Sequence, residues 1–357
     1  MTTHCLIRWP RLLVFLAVLV GAGILGRVSH GWSGPSVRDE LIGLQKQSGL
    51  SLVSVWNNKI RSVSFAERSL RDVRQIVKQG TAMDGAMSPD GTEIAFTYCL
   101  ELVESHPRPN VTVNGCAGGI PHPAIIRVDG TGFREYPNLA FGLGACWSYD
   151  NSKLAVAAQD RRNYPETVEG LKIVNLESGE IQRVDELDSF ATSQCWSPDG
   201  KQLVYTMNKE RGIQVVRLYD TDEKKSHDLA DGGNATWSPD GKWIAYLHCP
   251  SDLRNCTYEA MRPLGNERKE LFKVEVQGSA LWWSPDSRLV AYVSARGVLE
   301  KSPEVGFQEL SRLWVMRLDD NSEDWVLNLT EYDAEWFQWE RIGEFSSGGQ
   351  RTHSNQD

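Results

Sequence analysis

The sequence predicts an all-β fold, a six-bladed β-propeller of four-stranded blades closed by its C-terminal strand and preceded by an N-terminal hydrophobic segment. Three observations predict it. A ten-residue unit recurs five times in register. Each recurrence is followed by signals for two further strands. Strands left over at the two ends add up to one more unit.

The chain opens on a targeting segment. Arg8 and Arg11 precede an uncharged apolar run of 14 residues, Leu12–Leu25. A relaxed transmembrane helix needs about 20 apolar residues, whereas the apolar region of a signal peptide is shorter. Gly21, Ala22 and Gly23 are small, but no clean A-x-A cleavage site stands there, and no Cys follows the run to carry a lipoprotein anchor. Residues 1–30 are read as a signal anchor or signal peptide. Basic residues before the run place the bulk of the chain across the membrane. The protein is expected to be membrane-anchored with an extracytoplasmic domain, or secreted or periplasmic if the segment is cleaved. Residues 31–49 read as a linker. Within it Ser36 stands three residues before Asp39, and Val37, Leu41 and Leu44 share a helical face, the pattern of a short capped helix.

The repeat begins at Met87 with MSPDGTEIAF. It recurs as WSYDNSKLAV from Trp147, WSPDGKQLVY from Trp196, WSPDGKWIAY from Trp237 and WSPDSRLVAY from Trp283, with starts 60, 49, 41 and 46 residues apart. A constant core with variable insertions is the mark of stacked supersecondary units. Ser-Pro-Asp-Gly is a tight turn, with Pro presetting φ and Gly supplying the left-handed position. It joins a strand ending in an aromatic residue to a second apolar strand, which makes a hairpin. Third strands follow at Ile125–Val128, Leu171–Leu176, Ile213–Tyr219 and Leu313–Leu318, and fourth strands at Glu180–Val184 and Trp325–Leu329. Four short strands per unit make a propeller blade. The unit also accounts for many of the 13 Trp, since neighbouring blades need large apolar wedges between them.

Two ends must meet. Ala334–Trp339 reads as a first strand with nothing behind it, while Leu50–Trp56, Lys59–Phe65 and Val73–Val77 read as second, third and fourth strands with no first. Pairing them completes a sixth blade and removes both open sheet edges. The propeller is thus expected over residues 50–342, with a disordered polar tail at 343–357.

The repeated WSPDGK-x-[IL]-[AV]-[YF] resembles the TolB-like, WD-repeat-like six-bladed propeller repeat, over Leu50 to Trp339. The departures are Met87 for Trp, Tyr149 and Asn151 for Pro and Gly, and Ser287 for Gly. The resemblance implies the propeller. The 31–49 segment is too short for the separate N-terminal domain that the Tol-system protein carries, so that protein's role is not implied.

Composition excludes some functions. There are 47 acidic and 38 basic residues, a net charge of −9, and a nucleic-acid partner calls for a basic stripe instead. No G-x-S-x-G elbow is present, and the Ser of each repeat is a turn residue. The histidines are scattered, apart from His106 and His122 in one connection. Carboxylates crowd Asp319–Asp324 and Asp220–Glu223 without the spacing of a calcium loop. Asp90, Asp150, Asp199, Asp240 and Asp286 recur because the turn needs them. No catalytic residue, cofactor or metal ligand is assigned.

Six cysteines follow the N-terminal segment. Cys99 and Cys116 flank one long connection and Cys249 and Cys256 another, and both pairs are candidate disulfides that would staple a loop. Cys146 and Cys195 each precede the motif Trp of their unit. Equivalent positions face the same way around the ring, so a bridge between them is awkward and both are expected free.

The large insertions, at 97–123, 159–170, 248–259 and 294–311, fall on the face opposite the tight turns. Binding sites collect on variable loops held by a rigid scaffold. The expected function is a binding or scaffolding module for a protein or glycan partner, with membrane association through the N-terminal segment. His106, Arg108, Asn110 and His122 are the candidate binding residues. The alternative is a propeller enzyme, a carbohydrate lyase or hydrolase, with its site at the central channel mouth.

Overall fold

The structure, a computed structural model, describes residues 35–56, 58–108, 111–117, 121–160, 169–184, 191–209, 213–249, 256–274, 281–294, 299–302, 306–309, 311–329 and 337–341. The Leu12–Leu25 run and the 343–357 tail lie outside the described residues. Among those residues no helix is long and apolar enough to cross a membrane.

A helix, α1 (Val37–Ser48), leads into β1 (Leu50–Trp56), β2 (Lys59–Ser64) and β3 (Ser69–Gln75). Blade one comprises β4 (Thr81–Met87) and β5 (Glu93–Cys99), an inserted hairpin of β6 (Glu101–Arg108) and β7 (Val111–Ala117), then β8 (His122–Arg127) and β9 (Arg134–Glu135). Blade two is β10 (Leu139–Trp147), β11 (Lys153–Asp160), β12 (Glu169–Asn175) and β13 (Ile181–Arg183). Blade three is β14 (Ala191–Trp196), β15 (Gln202–Asn208), β16 (Gln214–Asp220) and β17 (Lys225–Asp231). Blade four is β18 (Gly233–Trp237), β19 (Ile244–His248), β20 (Cys256–Met261) and β21 (Lys269–Val274). Blade five is β22 (Leu281–Trp283) and β23 (Leu289–Ser294), an inserted hairpin of β24 (Leu299–Ser302) and β25 (Gly306–Glu309), then β26 (Ser311–Arg317) and β27 (Glu323–Leu329). The last strand, β28 (Gln338–Arg341), pairs antiparallel with β1 in the register Leu52 to Trp339, so the sixth sheet runs β28-β1-β2-β3. The molecule is therefore an all-β six-bladed propeller, closed by pairing the last strand with the first three.

Each repeat turn is built alike. The Ser N–H donates to the carbonyl five residues on, as from Ser197 to Gln202 at 2.8 Å, and Gly200 N–H returns to Ser197 O at 2.9 Å. The Asp carboxylate accepts the Ser hydroxyl, at 2.6 Å for Ser197 to Asp199, and the N–H of Lys201 at 3.1 Å. The fourth turn position is left-handed in all five units, at Gly91, Asn151, Gly200, Gly241 and Ser287. Ser287, with φ 60°, is the costly member. Its hydroxyl accepts the Asp240 N–H of blade four at 3.1 Å, which offsets part of that cost by joining two turns. The recurrent aspartates are thus turn residues, as read from the sequence.

The core divides into six wedges, one between each pair of neighbouring blades. Trp196, Leu203, Tyr205 and Tyr219 of blade three pack on Ala155, Leu171 and Ile173 of blade two. The Trp147 indole N–H donates to Ala86 O of the preceding blade at 3.0 Å, and that of Trp339 to Trp282 O at 3.1 Å. The indole N–H groups of Trp196, Trp237 and Trp283 are buried without a partner. The repeat therefore keeps Trp for the volume of its ring, which fills a wedge, and not for its N–H.

The segment read as a linker holds α1. Ser36 caps it by accepting Asp39 N–H at 3.2 Å, and Gly49 ends it at φ 68°. Val37 and Leu41 are buried with Leu313, Val326 and Leu327 in the wedge between blades five and six. Glu40 is ion-paired with Arg317 of blade five, and the Gln45 amide donates to Val63 O of blade six at 2.8 Å. The helix packs across the junction that closure creates, so its 3.6-residue apolar period is used against the propeller.

Candidate functional site

The first strands of all six blades converge on a central cavity of about 1540 Å³. The residue before the motif Trp, or before Met87 in blade one, lines it: Ala86, Cys146, Cys195, Thr236, Trp282 and Gln338 in blades one to six. Turn residues Pro89, Asp90, Pro239, Pro285 and Asp286 also line it, so the cavity reaches the tight-turn face. One side of the wall is apolar, with Leu281, Trp282, Trp283 and Phe337, and the side from blades two to four carries thiols, amides and hydroxyls.

A repeated bulge shapes this wall. In blades one to four the pairing of first and second strands slips just before the motif, between Met83 and Ala86, Leu143 and Cys146, Thr192 and Cys195, and Gly233 and Thr236. The residue three before the motif's first residue is left-handed in each: Asp84 at φ 46°, Gly144 at 62°, Ser193 at 52° and Asn234 at 52°. A bulge bends its strand and re-aims the next side chains, here toward the channel. Neighbouring bulges are linked, since Ser193 Oγ lies 3.1 Å from Asn234 Oδ1. At Gly85 a Cβ would stand 2.0 Å from Val55 Cγ1, so the close approach of blades six and one demands glycine. Apolar alternation along the first strands does not reveal the bulge. The signal was present in DGAM, GACW, SQCW and NATW, where a turn-forming residue interrupts a strand at one fixed offset.

The mouth is acidic. Asp90, Asp129, Asp286 and Glu340 line the cavity with Arg74. Glu340 occupies the place that Ser holds in the other blades. Burial pushes its carboxyl up to about 7, the charge of Asp90 adds to that, and the Gln338 amide, which donates to Glu340 at 3.0 Å, opposes it. Hydrogen bonds hold Asp150 and Asp199 below the ordinary carboxylate range, first those from the Ser148 and Ser197 hydroxyls. At the mouth Glu340, its carboxyl raised by burial, thus stands among other carboxylates. Among the described residues no group of three or more His, Cys, Asp or Glu is arranged to hold a metal ion.

Two free thiols, Cys146 and Cys195, stand in the wall, half-buried. Each thiol donates to the carbonyl of the next residue on its own strand, Cys146 to Trp147 O at 3.6 Å and Cys195 to Trp196 O at 3.7 Å, and the Thr236 hydroxyl of blade four donates to Cys195 at 3.7 Å. The orientation inferred from equivalence is therefore observed, and both cysteines are free.

Of the residues singled out in the long connections, His122 is the one whose side chain the structure describes. Thr97 and Pro123 pair across β5 and β8, so the insertion is the β6–β7 hairpin rather than an open loop. His106 and Arg108 lie on β6 with side chains outside the described set, and Asn110 lies outside it altogether. His122 starts β8 within the blade. Its ring meets Tyr98 edge-on at 5.7 Å and its Nε2 lies 3.3 Å from Glu135. The structure contains the Cys249–Cys256 disulfide, which closes the blade-four connection. Cys99 is disulfide-bonded, and the side chain of Cys116 lies outside the described set.

No protein-family model matches the sequence, and no curated protein matches it. Solved structures with this fold do. The chain aligns with TolB from Acinetobacter baumannii at 16% identity and a TM-score of 0.56, over 81% of this chain and 66% of that one. The chain thus spans just under two thirds of the length of that protein. An oligogalacturonate lyase from Vibrio parahaemolyticus aligns at 13% identity and a TM-score of 0.51, over 77% of this chain and 73% of that one. A nidogen–laminin complex contains a chain that aligns at 11% identity and a TM-score of 0.53, over 78% of this chain and 93% of that one. At these identities the likeness establishes a TolB-like six-bladed propeller fold.

Proposed function

We infer that the protein is an extracytoplasmic, membrane-tethered binding propeller whose long-loop face holds a protein or glycan partner. One observation carries the reading. The inserted hairpins β6–β7 and β24–β25 both replace the connection between second and third strands, and they do so in blades one and five. Those blades flank the closing blade. Two prongs therefore rise from one face with a single blade between them, on a scaffold whose other connections vary independently. A rigid ring with paired prongs loses little entropy when it engages a partner. A related propeller in a nidogen–laminin complex supports a protein partner. The export signal at Arg8–Leu25 supports the compartment.

The test uses the full-length chain recovered from membranes by cross-linking. Replacing 101–117 with a Gly-containing turn, together with Cys99→Ala, or replacing 299–309 alike, should abolish partner capture. A reporter fused after Asp357 should be active only on the far side of the membrane. Capture that survives both shortenings would transfer the function to the channel.

The cavity favours a second reading, an enzyme working at the tight-turn mouth. Glu340, poised to exchange a proton near neutrality beside Asp90, supplies the chemistry, and a lyase shares the fold. The acidic lining would select a neutral or cationic substrate over an anionic one. Turnover of a neutral glycan, lost in Glu340→Gln and kept in both hairpin variants, would establish it.

A further inference from the structure

We propose that the channel is a binding site for a neutral saccharide, stacked on Trp282 and faced by Tyr149 from across the axis. The blades supply their own control. At each wall position the other blades show what the fold asks for, so a departure that puts aromatic bulk into the cavity has its reason outside the fold. Before the motif, the other blades carry Ala86, Cys146, Cys195, Thr236 and Gln338, and blade five carries the ring of Trp282. At the second turn position, blades one, three, four and five carry Pro89, Pro198, Pro239 and Pro285, and blade two carries Tyr149. Both rings line the cavity, Trp282 half-buried and Tyr149 40% exposed. Blades two and five stand opposite each other in a ring of six, so the two aromatics approach the channel from opposite sides.

The Trp282 plate is fixed in advance. Buried Phe337 of blade six meets the indole edge-on, with ring centroids 5.6 Å apart and planes at 79°, and the Trp339 indole N–H donates to Trp282 O at 3.1 Å. A ring already held in place loses little freedom when a ligand stacks on it. In ring order Trp282 lies between Thr236 of blade four and Gln338 of blade six, so a hydroxyl and an amide stand at its two sides. The Gln338 amide is locked as well: its Oε1 accepts Met87 N–H at 3.1 Å, and one N–H goes to Glu340 at 3.0 Å. An amide nitrogen carries two N–H, so the second is left for a ligand.

An apolar plate edged by hydrogen-bonding groups matches a pyranose, whose C–H face is apolar and whose hydroxyls project from its rim. A wholly apolar ligand would strip water from Thr236 and Gln338 and give nothing back. An anionic sugar would meet Asp90, Asp286 and Glu340 at the mouth. The cavity, about 1540 Å³, exceeds the usual small-molecule pocket of about 300–1,000 Å³, so it takes several linked rings. The site lies apart from the long-loop face. It shares the cavity with the second reading of function, but it rests on no turnover.

The experiment titrates the full-length chain, by calorimetry, with hexamers of glucose, mannose and N-acetylglucosamine. A uronate hexamer and a glucosamine hexamer are the anionic and cationic controls. At least one neutral hexamer should bind, and more tightly than either control. Trp282→Ala should weaken that binding by about tenfold or more, and Trp282→Phe, which keeps a stacking face, should weaken it less. Melting of each variant checks folding. Tyr149→Pro installs the residue of the other turns, so it should melt like the parent and still bind the hexamer more weakly; it decides the matter if Trp282→Ala does not fold. Turnover of the bound hexamer by the parent is measured separately, and its absence counts against the second reading of function while leaving the site in place. No binding of any neutral hexamer at millimolar concentration, tighter binding of either charged one, or binding that both Trp282→Ala and Tyr149→Pro leave unchanged would overturn the proposal.

Discussion

The two faces of the ring are made by the same strands, yet they follow different rules. On the tight-turn face every connection between first and second strands is the same four-residue device, with Ser, Asp and a left-handed fourth residue bonded alike in five blades. On the long-loop face the connections between second and third strands range from the two residues between Trp56 and Lys59 to the 22 residues between Cys99 and His122. The regular face is held by local hydrogen bonds that any blade can make alone. The variable face is free to lengthen because a longer loop costs little closure entropy once its ends are fixed in the sheet. Stability should therefore reside with the first strands and turns, and partner recognition with the hairpins.

The sharpest way to break this contrast is at closure. Trp339 is buried in the wedge between blades five and six, and Trp339→Ala should cost about 3–5 kcal/mol. Deleting 331–342 should abolish cooperative melting. A deletion variant that melts like the parent, by calorimetry, would show that the ring does not depend on its last strand. A smaller effect is expected at the bulge beside it. Gly85→Ala should cost about 1–3 kcal/mol by overpacking against Val55, and Val55→Ala in the same chain should restore part of that. Equal melting of Gly85→Ala and parent would refute the close approach.

Glu340 gives a pH-dependent test of the same mouth. Its folded value, about 7, lies above the ordinary 4.5, so between those values the native state binds more protons than the unfolded one. Its contribution is fully present below pH 4.5, and stability falls as pH rises toward 7. Because the group is half-buried and partly screened, the loss should be about 1–2 kcal/mol. Glu340→Gln should flatten the profile in that window and melt higher than the parent at pH 8. A profile unchanged by the substitution would mean that Glu340 titrates normally. The smallest effect on stability belongs to the long-loop face. Shortening 299–309 to a turn should leave the melting temperature within about a degree, since little of the wedge core is lost. A large drop would place that hairpin with the scaffold rather than with recognition.

Local patterns carried much of the fold into the sequence. The Ser-Pro-Asp-Gly turn, the apolar strand after it and the aromatic before it each have a physical reason that acts over a few residues, and five copies in register leave little choice of architecture. Strand β1 begins and ends where its apolar run does. The candidate site was far less legible. Asp84, Ser193 and Asn234 look like ordinary polar residues until the strands pair and the bulge turns them to the axis. His122 reads as a loop residue, but the strand starts earlier than its apolar run, so Tyr98 and Glu135 enclose it. Helix α1 shows its amphipathic face in Val37, Leu41 and Leu44, but which surface receives it depends on blades five and six having met.

The amino-acid order specified the blade, its turn and the number of units, because hairpin geometry and side-chain alternation are short-range. It also specified that an end strand must find a distant partner, because an unpaired apolar strand has nowhere else to bury. Folding in three dimensions decided what surrounds the axis. The ring sets Cys146 and Cys195 at the same place in neighbouring innermost strands, the closing strand sets Glu340 beside Asp90, and neither arrangement is encoded by nearness along the chain. Charge, acidity and thiol reactivity depend on distance through space, and the ring sets those distances only when it closes.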